Sequence, residues 1–183
     1  LKGEALFDIV DDSSSPFYVY TGNAQLKLQH ATFNVNAYLQ KTVVTLVNGQ
    51  LEIKSGSSMA SLTEGKHAMA VANAQSIKQT IILTEADTAS ALSWKKATRL
   101  YKDIPMREFV SDIARWYNLE IVNITCIPAA VRISVAMCYN TPIDQLLNIF
   151  SDSKLKFYKV GNRITFCDPA LRATPAQPVP FKY

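Results

Sequence analysis

The chain has 183 residues and a mass of 20.3 kDa, enough for one ordinary domain or two small ones. Hydrophobic residues make up 48% and charged residues 19%, which excludes a disordered chain, and no run nears the roughly 20 apolar residues of a membrane-spanning helix. The net charge of +4 hides an asymmetry: residues 1–93 hold 6 Lys and 8 acidic residues (−2), whereas residues 94–183 hold 13 basic and 7 acidic residues (+6). All six Arg fall in the second half, and five of the six Gly come by Gly65, so two differently composed units are expected.

The first half reads as a series of short strands separated by turn signals. Residues 5–10 are apolar around Asp8 and stop at Asp11-Asp12-Ser13-Ser14-Ser15-Pro16. Residues 17–20 follow. Residues 24–28 alternate strictly, and residues 32–38 place Phe33, Val35 and Ala37 on one face. Asn48-Gly49 separates the apolar run 43–47 from the alternating run 50–54. Both residues accept positive φ, so the spacing predicts a type I′ hairpin there. Residues 55–58 and 63–66 signal two more turns, and residues 77–83 a last strand. Strands at this spacing predict an antiparallel β sandwich or roll over residues 1–84. Residues 85–97 read as a linker, with a short helix over 85–92 and Trp94 as a packing anchor.

The second half carries a repeat. After Pro105 come apolar residues at Met106, Phe109, Val110 and Ile113; after Pro142, 37 residues later, come Ile143, Leu146, Leu147 and Phe150. This is the i, i+3, i+4, i+7 stripe of an amphipathic helix, with proline in the first turn. Thr141 is the expected N-cap of the second helix, and Asn118 the expected end of the first. Strands are read before the helices at 99–101 and 132–135, and after them at 119–122 and 155–158. A turn at 160–163 leads into a last strand at 164–166. The expected order is β-α-β, β-α-β-β over residues 98–168, a small α+β domain, followed by a proline-rich tail at 169–183. The fold class is therefore mixed and mainly β. Arg107 and Arg115 read as a solvated helix face, partly paired with Glu108 and Asp112.

Chemistry-bearing motifs are sparse. There is no dinucleotide fingerprint, P-loop or nucleophile elbow. His30 and His67 read as structural histidines in strand-like stretches. Cys126, Cys138 and Cys167 lack zinc-ligand spacing. They read as buried or free thiols, with a Cys126–Cys138 disulfide as the alternative in an oxidising compartment. No enzyme, cofactor or metal is expected. The run Lys154-Leu155-Lys156-Phe157-Tyr158-Lys159 interleaves bases and aromatics, as RNA binders do. However, the G-x-x-G loop of a KH domain and the RNP1 pattern of an RRM are missing.

Taken in order, the motifs resemble the periplasmic region of FecR-like anti-sigma factors. Gly3-Glu4-Ala5-Leu6-Phe7-Asp8-Ile9 is similar to that family's G-E-A-x-F-x-V start, and Pro16-Phe17-Tyr18-Val19 to its P-F-x-V. Thr32-Phe33-Asn34-Val35-Asn36-Ala37-Tyr38 resembles T-x-F-N-V-x-A-Y, and residues 44–53 its V-T-L-x-x-G-x-V-x-V segment. Leu62-Thr63-Glu64-Gly65-Lys66 is similar to L-x-P-G-q, with Glu64 in place of proline. Trp94 stands at the W-x-x-G position, with Ala97 in place of glycine. Pro105-Met106 through Arg115-Trp116-Tyr117 resembles the P-L-x-E-I helix that ends in R-x-Y. The family's L-G-T before F-N-V reads Leu28-Gln29-His30-Ala31-Thr32, a departure at that turn.

The resemblance implies a receiver module in the periplasm. Its C-terminal part is similar to a secretin/TonB short N-terminal domain. Such a module docks the signalling domain of an outer-membrane TonB-dependent transducer and relays ligand uptake to an extracytoplasmic-function sigma factor. The family's cytoplasmic sigma-binding domain, its inner-membrane helix and its earlier periplasmic strands are expected to precede residue 1. Sigma-factor and membrane contacts would run through those parts alone, and no nucleic acid is an expected partner. Docking is expected on strand edges at residues 155–159 and 163–166, through Leu155, Phe157, Lys159, Arg163, Ile164 and Phe166. The alternative is a structural, carbohydrate-binding or RNA-binding β-rich module without a signalling role.

Overall fold

The alternating runs of the first half form eight strands, and the two striped segments of the second half form helices. The structure, a computed structural model, describes residues 1–10, 15–38, 41–71 and 80–167. The chain divides into two units, Leu1–Lys96 and Ala97–Tyr183, each with its own core. Residues 11–14 of the turn expected at 11–16, the start of the strand expected at 77–83, and the tail at 169–183 lie outside the described residues.

Unit 1 is one curled antiparallel sheet, as expected of a mainly-β fold. Its strands are β1 (Gly3–Ile9), β2 (Phe17–Tyr20), β3 (Gln25–Leu28), β4 (Ala31–Tyr38), β5 (Lys41–Ser55), β6 (Ser58–Thr63), β7 (Lys66–Val71) and β8 (Thr80–Glu85). The main path runs β1-β4-β5-β3-β2; β6 and β7 also pair with β5, and β8 pairs with β7. Alternation puts Leu26, Phe33, Val35, Val44, Leu46, Ile53 and Leu62 inside, all essentially inaccessible. Phe7 stacks on Phe33 with ring centroids 5.1 Å apart.

The hairpin expected at Asn48-Gly49 does not form. β5 runs through both residues as one strand of 15. Its first half pairs with β4 and β7, and its second half with β3 and β6. Opposite Asn48 the ladder with β4 slips by one residue between Thr32 and Phe33, a β-bulge. Gly49 has φ +87°, and a Cβ there would lie 2.7 Å from the His30 carbonyl oxygen. The positive φ that suggested a turn instead bends a continuous strand from one set of partners to the other. The hairpin turn lies farther on, at residues 56–57, between Ser55 and its partner Ser58.

The linker segment carries a four-residue helix, α1 (Thr88–Ala91), capped by Asp87, whose carboxylate accepts from the Ser90 N–H. Trp94 anchors this segment to unit 1: its Nε1 donates to Oδ1 of buried Asn34 on β4 at 3.0 Å.

Unit 2 follows the expected order: β9 (Thr98–Pro105), α2 (Met106–Trp116), β10 (Glu120–Val122), β11 (Arg132–Cys138), α3 (Ile143–Asp152), β12 (Tyr158–Val160) and β13 (Arg163–Thr165). The stripe residues Met106, Phe109, Val110, Ile113, Leu146 and Phe150 are fully buried, so the helix pattern read from the sequence is the core pattern. Both helices end alike. Asn118 and Lys154 take positive φ, and the next residues donate back five positions, Leu119 to Ala114 and Leu155 to Phe150.

Three local expectations are corrected. Thr141 is not the N-cap; Pro142 holds that position without a side-chain bond, while the Thr141 carbonyl accepts from the Tyr117 hydroxyl at 2.6 Å. The strand expected at 155–158 begins only at Tyr158, because the left-handed turn at Lys154 directs Leu155 and Phe157 onto the core first. The strand ending the second repeat is not an edge: β13 lies between β10 (parallel) and β12 (antiparallel). The two repeats interleave. β9 and β11, which precede the helices, pair with each other, and the strands that follow the helices form the other sheet.

Candidate functional site

The six residues expected at a docking edge separate into two groups. Ile164 and Phe166 are buried, and Leu155 and Phe157 pack against the same core. Phe150 holds the aromatic cluster together, with ring centroids 5.7 Å from Phe157 and 5.2 Å from Phe166. Lys159 and Arg163 are exposed. Arg163 Nε lies 3.4 Å from Glu120 Oε1 on the neighbouring strand β10. The structure therefore places Lys159, Arg163 and Ile164 on the small sheet and Leu155, Phe157 and Phe166 beside it on the core, and of the six it leaves only the two cations at the surface.

The sheet has two open edges, β10 and β12, and the exposed apolar side chains lie on β12. Among the described residues β12 pairs with β13 alone, so one side of its backbone faces outward. Its side chains are Tyr158, Lys159 and Val160; Val160 is 80% exposed and Tyr158 39%. The sequence pattern points instead to the other face of this run, Leu155, Phe157 and Lys159, and assigns Val160 to the turn. A two-residue turn at Gly161-Asn162, with Gly161 at φ +60°, folds β12 back on β13. Lys154 and Lys156 are also exposed, so this margin of the unit is basic.

A second cluster joins β9 to α2. Asp112, read from the sequence as part of a solvated helix face, is buried. Its carboxylate accepts from Arg115 and, at 3.3 Å, from the Tyr101 hydroxyl, and Arg99 Nη2 lies 3.7 Å away. The Arg99 guanidinium also sits 5.7 Å from the ring centroids of both Tyr101 and Trp116. Burial pushes the Asp112 carboxyl above the usual carboxylate range, against the pull of Arg115 and Arg99. Burial and the neighbouring Asp112 likewise raise the Tyr101 phenol. Arg107, expected on the same solvated face, donates to the carbonyls of Ile127 and Thr125 at 2.7 Å each and ties α2 to the loop before β11. The cluster is a clamp between β9 and α2, and among the described residues no buried side-chain nitrogen or oxygen lacks a hydrogen-bond partner.

The cysteines pair otherwise than expected. Cys126 is joined to Cys167, and Cys138 is an exposed free thiol. His67 is partly buried on β7, with Nδ1 3.0 Å from Thr45 Oγ1; His30 lines an open groove of about 510 Å³ on unit 1 with Lys27, Glu52 and Ser61. No group of three or more potential metal ligands occurs among the described residues. No helix among them is long and apolar enough to cross a membrane.

Residues 100–166 match the family model described as "FecR, C-terminal". Two crystal structures, at 1.65 and 2.50 Å resolution, of a candidate anti-sigma factor from Parabacteroides distasonis ATCC 8503 share the fold. Each superposes with a TM-score of 0.74 at 24% identity, covering 90% of this chain and 76% of theirs. No curated protein sequence matches the chain.

Proposed function

We propose, from the premise that residues 100–166 are a FecR-type C-terminal domain, that this chain is the signal-receiving periplasmic region of an anti-sigma factor. In this reading it docks the signalling domain of an outer-membrane TonB-dependent transducer and passes ligand uptake to an extracytoplasmic-function sigma factor. It is a binding module with no catalytic step of its own. The match of residues 100–166 to the FecR C-terminal model supports a signalling regulator of that type.

The observation that carries the reading is the open strand β12 inside the domain that the FecR model matches. A strand edge with an exposed Val160 and flanking lysines offers main-chain hydrogen bonds for affinity and positive charge for steering. The Cys126–Cys167 disulfide supports a compartment outside the cytoplasm, because thiols in the cytoplasm are kept reduced.

The test is a calorimetric titration of the chain with the isolated signalling domain of the transducer encoded beside its gene. Saturable binding is expected, and Val160→Asp is expected to weaken it at least about tenfold without lowering the melting temperature. No binding, or undiminished binding by Val160→Asp, would count against the reading.

A further inference from the structure

Strand β8 is an open edge of unit 1. Among the described residues it pairs only with β7, and its central residues Ile82 and Leu83 are 44% and 50% exposed. Consecutive residues of a strand point to opposite faces, so the strand shows apolar surface on both faces at an open edge. The stretch Thr80-Ile81-Ile82-Leu83-Thr84 also carries no charge. Edges in monomeric proteins are usually blunted by a charge, a proline or a bulge, and this stretch has none of them.

We propose that β8 is a self-association edge, on which a second copy of this chain adds its own β8 in antiparallel register to form a two-fold dimer. The strand is complementary to itself in one register. With Ile82 opposite Ile82 of the second copy, Ile81 faces Leu83, Leu83 faces Ile81, and Thr80 and Thr84 face each other. Every pair is apolar with apolar or hydroxyl with hydroxyl.

The hydrogen-bonding phase agrees with this register. Ala86 N–H donates to the Gly65 carbonyl at 2.9 Å, and antiparallel ladders alternate. Thr80, Ile82 and Thr84 therefore turn their backbone groups toward β7, and Ile81 and Leu83 turn theirs outward. In the proposed register Ile81 and Leu83 of each copy exchange those outward bonds, while the two Ile82 side chains meet at the axis. Sliding by one residue in each copy, so that Leu83 faces Leu83, would set Ile81 against Glu85 and Ile82 against Thr84. Charge does not oppose the second copy as occupant: the paired stretch brings no like charges together, and Glu85 at its end is already bound to Lys66. Two five-residue edges fall short of the roughly 1,200 Å² of a standard stable interface, so the dimer is concentration-dependent rather than permanent.

Sedimentation equilibrium of the whole chain over a wide concentration range reads this directly. A monomer–dimer equilibrium is expected, with Ile82→Lys raising its dissociation constant at least about tenfold by placing two like charges at the axis. Register is read by cross-linking in a Cys138→Ser background. Ile82→Cys is expected to form an intermolecular disulfide on mild oxidation, and Leu83→Cys to form much less. A chain that stays monomeric throughout overturns the proposal, as does a dimer that Ile82→Lys leaves intact. Cross-linking by Leu83→Cys as strong as by Ile82→Cys overturns the register. Should Ile82→Lys fail to fold, the two cysteine variants still decide.

Discussion

Cys126 and Cys167 stand 41 residues apart in sequence, yet their Cα atoms are 5.5 Å apart and their side chains form a disulfide. One partner closes the short 3-10 turn after β10, and the other lies two residues beyond the end of β13. These are the two parallel neighbours of the small sheet, so the bridge ties the strand of the first repeat to the last strand of the second.

Closing a loop of this length removes unfolded-state entropy worth about 2–4 kcal/mol. Reductant, or Cys126→Ser, is therefore expected to lower the melting temperature of unit 2, and reductant should cost Cys126→Ser nothing more. Thiol titration of the native, unreduced chain should find one reactive group, the exposed Cys138. Three reactive groups under those conditions would show that the bridge does not form.

Gly49→Ala should test the bend in β5. The substitution puts a side chain at φ +87° and within 2.7 Å of the His30 carbonyl oxygen, in backbone that has little room to yield. The expected cost is about 2–4 kcal/mol, from the conformational penalty together with the close contact. Gly65→Ala separates the two contributions, because Gly65 also has positive φ, +76°, but no atom within 4 Å of the added Cβ. Urea unfolding should show the larger loss for Gly49→Ala. Equal losses would mean that strain, not crowding, sets the cost.

The same residue shows how far the sequence could be read. Local patterns point to β1 to β4 in unit 1 and to both helices of unit 2, because burial of Phe33 and Val35, or of Phe109 and Ile113, needs the period that the sequence displays; they do not point to β6 and β7. Asn48-Gly49 was misread because a positive φ fits a turn and a bent strand equally well, and only the partners on either side decide between them. The interleaving of β9 with β11 and the choice of Cys167 over Cys138 depend in the same way on contacts between distant segments. Asp112 looked like surface because Arg115, three residues on, suggested a solvated pair; Tyr101 and Arg99, which cover it, come from another strand. At the candidate site the three-residue delay before β12 comes from one left-handed residue, Lys154, which no period reveals. That delay puts Leu155 and Phe157 on the core and leaves Tyr158 and Val160 at the exposed edge.

Removing Asp112 should be costly. Asp112→Ala leaves Arg99, Arg115 and the Tyr101 hydroxyl without their shared acceptor between β9 and α2. Breaking a buried ion pair from one side costs several kcal/mol, and the partial exposure of Arg115 reduces that to about 2–3 kcal/mol here. Glu85→Ala removes an ion pair with Lys66 at an exposed position and should leave stability nearly unchanged. Chemical denaturation of both variants beside the parent chain makes the comparison. A loss for Asp112→Ala no larger than for Glu85→Ala would mean that the clamp contributes nothing.

His67 should make unit 1 sensitive to acid. Its ring is partly buried on β7 against Thr45, and burial, helped by the positive charge of Lys41, lowers its pKa from the usual 6.5. A histidine with a lowered pKa folds in the neutral form. Between the folded and unfolded values the unfolded chain binds more protons, so stability rises with pH in that window. The contribution is complete above about pH 6.5 and is lost as pH falls from there through the folded value. His67→Gln keeps a hydrogen-bonding side chain beside Thr45 and does not titrate. Thermal melts at stepped pH should show the parent chain losing stability below about pH 6.5 more steeply than His67→Gln. The two curves should run parallel above that pH. Parallel curves throughout the acid range would show that His67 accepts its proton without cost to the fold, and that its burial does not hold it neutral.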